Sequence, residues 1–77
     1  MKYEIKSRQK IAGKTYAYSY LTDDYKEVET KRGLCLKFKA EGRKSPVYLK
    51  AKKESYFEEF ETAVYEATTG RRVATYK

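Results

Sequence analysis

The even positions Lys2, Glu4, Lys6, Arg8 and Lys10 all carry a charge, while Tyr3, Ile5, Ser7, Gln9 and Ile11 fill the odd ones. A repeat of two is the signature of a strand whose successive side chains point to opposite faces. The opening segment is therefore read as a half-buried strand over about 2–11, with an ionised outer face. Ala12-Gly13-Lys14-Thr15 is a turn, with Gly13 free to take positive φ. Alternation resumes at Tyr16, Tyr18 and Tyr20, opposed by Ala17, Ser19 and Leu21, which predicts a second strand over about 16–22. With Gly13-Lys14 as the loop, Ile11 faces Tyr16, and the three tyrosines share the side of Ile5 and Ile11. A one-residue slip would invert that assignment.

Residues 23–32 carry the weakest pattern. Asp23-Asp24 is a turn signal, and Tyr25 to Thr30 reads as a short strand or an irregular crossing. Leu34, Leu36, Phe38 and Ala40 then alternate with Cys35, Lys37, Lys39 and Glu41, giving a strand over about 33–40. Pro46 closes the next turn and is suited to opening, not continuing, a strand. Val47, Leu49 and Ala51 alternate with Tyr48, Lys50 and Lys52, giving a strand over about 47–52. From Ser55 the period changes. Ser55-Tyr56-Phe57-Glu58 matches a helix capping box, and Phe57, Phe60, Val64 and Ala67 form a stripe at helical spacing. Gly70 supplies a stop, with Arg71-Arg72 near the negative end of the helix dipole. The expectation is an α+β domain over 1–77: a meander-like antiparallel sheet of 4–5 strands with one C-terminal helix, about 56–68, packed on one face.

Composition narrows the function. With 77 residues there is room for one thin core, burying about 60–65% of the unfolded surface. No histidine and a single cysteine exclude a Cys/His zinc site, a Ser-His-Asp triad, a Cys-His dyad and an internal disulfide. No apolar run approaches the ~20 residues of a membrane helix. The alternating charge at the start is unlike a signal peptide. With one unpaired cysteine, a reduced, cytoplasmic setting is expected. Glu29-Thr30-Lys31, with Asp24 upstream, spells part of a metal-dependent nuclease core. The same E-x-K occurs at Glu4-Ile5-Lys6, which shows how cheaply a charged chain produces it. No enzyme and no cofactor are expected.

Charge gives the functional lead. Residues 1–53 hold 15 Lys+Arg against 6 Asp+Glu, whereas residues 54–77 hold 3 against 5. If the apolar positions face the helix, the opposite sheet face collects Lys6, Arg8, Lys10, Lys37, Lys39, Tyr48, Lys50 and Lys52, with Arg43 and Lys44 in the adjoining turn. Like charges on neighbouring strands repel, and an anionic ligand relieves that repulsion. Tyr48, flanked by cations, suits base stacking. These ten residues are the candidate nucleic-acid-binding set, for DNA or RNA, single- or double-stranded, with little sequence preference. The alternative is a small accessory or inhibitory module that docks its basic, tyrosine-rich surface on an acidic protein. A homodimer is compatible with either reading. In element order and charge alone, the outline resembles the small arm-binding domains of tyrosine recombinases and the single-strand-binding folds of transcriptional coactivators. No diagnostic motif is shared, so no residue role carries over.

Overall fold

The computed structural model describes all residues, Met1–Lys77, and contains no helix. Its elements are β1 (Tyr3–Ile11), β2 (Lys14–Thr30), β3 (Gly33–Ala40), β4 (Val47–Lys50), β5 (Glu59–Glu66) and β6 (Arg72–Tyr76). All neighbours are antiparallel, in the order β4-β3-β2-β1-β5-β6. The expected α+β class, with 4–5 strands and a helix over 56–68, is overturned: the fold is all-β, with six strands.

The helix fails for a readable reason. Phe60 and Val64 are four residues apart, an even spacing that suits a strand as well as a helix. In β5, Phe60, Thr62 and Val64 face Gln9, Ser7 and Ile5 of β1. Phe60, Thr62 and Val64 are all buried, Thr62 and Val64 completely. The helical stripe leaves Thr62 facing water, whereas the strand places it inside and hydrogen-bonds it. Glu58, expected in a capping box, instead accepts the Gly13 amide at 2.7 Å. The stop at Gly70 survives as a strand connection, with φ at +76° and its amide bonded to the Glu66 carbonyl at 2.8 Å.

The first hairpin turns at Ala12-Gly13, not Gly13-Lys14, and Ile11 faces Lys14. Both turn residues have positive φ, 51° and 79°, as a type I′ turn requires. The shift is two residues, so faces are preserved: Tyr16, Tyr18 and Tyr20 still share the side of Ile5. The poorly patterned residues 23–32 are largely strand. β2 runs on through a bulge between Thr22 and Tyr25, pairing with β1 before it and with β3 after it.

The sheet coils around its inner face. Ile5, Leu36, Phe38, Ala40, Leu49, Ala51 and Val64, from four strands and the residue after β4, form one buried cluster. Tyr3, Tyr20, Tyr25 and Tyr76 pack at its margin. Two hydrogen bonds draw distant strands together. Tyr76 on β6 donates to Glu27 on β2 at 2.8 Å, and Thr62 on β5 donates to the Lys50 carbonyl on β4 at 3.2 Å. The core also contains a polar chain. Gln9 donates to Ser7 (3.2 Å), and Ser7 lies 2.8 Å from Thr62. Since the single Thr62 hydroxyl proton goes to Lys50, Ser7 must donate to Thr62. No buried side-chain polar atom lacks a partner.

Candidate nucleic-acid interface

Because the inner face carries the core, residues alternating with it lie on the convex outer face. On β3 these are Cys35, Lys37 and Lys39. The register sets Lys26 of β2 and Tyr48 of β4 on either side of Lys37. Directly opposed residues have Cβ atoms about 4.5–5.5 Å apart, so Lys26 and Lys37 are a close like-charge pair. Neither they nor Lys39 has a carboxylate within ion-pair distance; the six ion pairs of the molecule all involve other groups. The Lys37 ammonium sits 5.6 Å from the centroid of the Tyr48 ring. Tyr48 is 54% exposed, leaving ring surface open to solvent.

The ten residues expected to form one basic face are divided. Lys6, Arg8 and Lys10 lie on the outer side of β1, where β5 meets them with carboxylates. Arg8 is opposite Glu61 and Lys10 opposite Glu59. Lys10 lies 3.7 Å from both Glu58 and Glu59, and Lys6 lies 3.9 Å from Glu4. Uncharged Ser19, Ala17 and Thr15 of β2 border this row on its other side. The acidic segment that was to form a helix behind the sheet is instead a strand within it, next to the cations.

Lys50 is committed to structure. Its ammonium donates to the Arg32 carbonyl at 2.7 Å and to the Glu54 carboxylate, and lies 5.8 Å from the Tyr56 ring centroid. Burial opposes the ammonium charge, but the Glu54 and Tyr56 partners outweigh it and hold its pKa above the ordinary lysine range. Arg43 turns over the Tyr20 ring at 5.4 Å. Lys44 and Lys52 are exposed in connections. Lys37, Lys39 and Tyr48 thus remain together, joined by Lys26. Sequence reasoning missed Lys26 because it lies just beyond the bulge, where the pattern breaks. The usable signal was its odd-number spacing from Tyr25, whose apolar ring marks the inner face.

Other candidates resolve plainly. Cys35 falls on the outer side but is buried, with Thr30 Oγ1 at 3.6 Å from its sulfur. Asp24 accepts the Tyr25 amide at 2.9 Å, and no three acidic or cysteine side chains cluster closely enough to hold a metal ion. No helix of the molecule is long and apolar enough to cross a membrane. Without a helix behind a basic sheet, the outline resemblance to recombinase arm-binding and coactivator domains lapses. Comparison with family models, curated proteins and solved structures found no match.

Proposed function

We propose that the chain is a non-enzymatic nucleic-acid-binding domain that uses the outer surface of β2, β3 and β4. Lys26, Lys37 and Lys39 contact phosphates, and Tyr48 offers a face to a base. The observation that supports this most is the opposed pair Lys26 and Lys37 with no carboxylate within ion-pair distance. Like charges on directly opposed residues repel each other, and a phosphate bound between the two side chains turns repulsion into attraction. Stacking on Tyr48 favours a single strand, because duplex bases are already stacked. Phosphate contact carries no sequence information, so selectivity is low. A cytoplasmic setting suits this reading.

The test is fluorescence anisotropy with single-stranded DNA, duplex DNA and RNA across a salt series. Binding should weaken with salt, and three phosphate contacts to a single strand give a log–log slope of about −2. Lys26→Glu/Lys37→Glu/Lys39→Glu should abolish binding. Lys6→Glu/Arg8→Glu/Lys10→Glu, with the same change in net charge, should retain much of it. Equal losses from both triple variants would mean that net charge alone holds the ligand and would defeat the assignment.

A further inference from the structure

The hydrogen-bond phase of β2 leaves a free edge. Ile11 and Lys14 close the two-residue turn, so Tyr16, Tyr18 and Tyr20 direct their main-chain groups toward β1. Thr15, Ala17 and Ser19 direct theirs away from it. β3 pairs with β2 only from Thr22 onward, and one further bond, from the Glu41 amide, reaches the Leu21 carbonyl. The outward N–H and C=O groups of Thr15, Ala17 and Ser19 therefore meet no strand. Other sheet edges are guarded by common devices: β4 has four residues and follows Pro46, and β6 has five residues and pairs with β5 through a bulge.

The same edge is chemically distinct. Thr15 to Thr22 is the longest uncharged run in a chain that is 38% charged, and it contains three tyrosines and no glycine or proline. Tyr16 and Tyr18 are 41% and 39% exposed. Uncharged, β-prone and unpaired, such a strip is a template for another strand.

We propose that this edge pairs with the same edge of a second copy of the chain, joining two sheets about a two-fold axis at Ala17. Charge selects this occupant. An acidic segment gains little from an uncharged strip, whereas a chain with net charge +7 can meet its own copy there without setting lysine rows against each other. The two-fold axis places Ala17 opposite the partner's Ala17, Thr15 opposite the partner's Ser19, and Tyr16 opposite the partner's Tyr18. All the outward groups of the three edge residues are then paired, and the tyrosine row continues across the junction. The remaining repulsion of two cationic chains makes the dimer stronger as salt rises, opposite to the salt response of nucleic-acid binding. The dimer is independent of the Lys26–Lys37–Lys39 reading.

Sedimentation equilibrium from low micromolar to millimolar protein, at low and high salt, tests the proposal. The mass should approach twice the 9.1 kDa chain mass at the upper end, and at lower concentration in higher salt. Ala17→Pro removes an N–H that has no partner in the monomer and should hold the chain monomeric throughout. Cysteine cross-linking fixes the register and decides the matter if the proline variant fails to fold. Ala17→Cys should form a disulfide dimer, since residues in a hydrogen-bonded pair have Cα atoms about 5.5 Å apart, within disulfide range. Ser19→Cys should not, because two copies of that residue lie four positions, about 14 Å, apart along the strands. The parent, with Cys35 buried, is the control. A monomer at every concentration and salt, a dimer that survives Ala17→Pro, or equal cross-linking through Ser19→Cys overturns the proposal.

Discussion

Thr62→Val exchanges a hydroxyl for a methyl of nearly the same volume. Thr62 is fully buried, accepts from Ser7 at 2.8 Å and donates to the Lys50 carbonyl at 3.2 Å. No cavity opens, so the cost lies in two lost hydrogen bonds and in the groups left behind. Each bond contributes a net of about 0.5–1.5 kcal/mol, and a stranded buried acceptor costs about 1–3 kcal/mol. Valine recovers part of this because its methyl needs no desolvation and it favours strands. The expected loss is about 2 kcal/mol. For a domain of this size each kcal/mol moves the melting temperature by about 4–8 °C, so the midpoint should fall by roughly 10 °C. Circular dichroism melts and urea titrations measure it, with exposed Thr75→Val as a control that should stay within about 0.5 kcal/mol. A cycle with Ser7→Ala should show coupling of about 0.5–1.5 kcal/mol, because the two residues share one bond. If Thr62→Val melts at or above the parent temperature, Thr62 faces solvent, as the helical stripe would place it, and the all-β account fails.

Tyr76 should resist ionisation. Burial first, and then its hydrogen bond to Glu27, raise its pKa well above that of a free tyrosine. Its stabilising contribution is complete below about pH 10, the ordinary tyrosine pKa. It declines above that pH, because the unfolded chain releases the proton before the folded one does. Tyr25 shifts in the same direction, chiefly through burial. An ultraviolet tyrosinate titration should show the Tyr76→Phe variant lacking one late-titrating group, and its alkaline loss of stability should be smaller. An unchanged titration would refute the Tyr76–Glu27 contact. Ala12 adopts φ of 51° in the first turn, a region that asparagine tolerates and alanine does not favour. Ala12→Asn should therefore stabilise the domain by about 0.5–1 kcal/mol in urea titration, and a loss would refute the type I′ assignment.

Legibility followed the strength of the alternation. Lys2 to Ile11 declared its strand because charged and uncharged positions alternate throughout, and Leu34 to Ala40 because every second residue is apolar with lysines between Leu36 and Ala40. The first-turn error was harmless, since a two-residue shift returns every side chain to its own face. Residues 23–32 resisted because the Asp23-Asp24 bulge breaks the phase between Thr22 and Tyr25, hiding Lys26. Phe57, Phe60, Val64 and Ala67 misled because they fit a helical stripe while a buried Thr62 looks polar and outward. Its burial depends on Ser7 and the Lys50 carbonyl, partners that lie 55 and 12 positions away and so lie beyond any local window. Once 59–66 became a strand, its glutamates came beside the β1 cations, and one basic face became two unequal ones.

Amide chemical shifts recorded while a short single-stranded oligonucleotide is added at low salt probe the proposed surface residue by residue. The largest changes should fall at Lys26, Lys37, Lys39 and Tyr48, with Lys6, Arg8 and Lys10 nearly still. Changes concentrated on β1 and β5, or none at concentrations where anisotropy reports binding, would contradict the placement of the ligand on β2, β3 and β4.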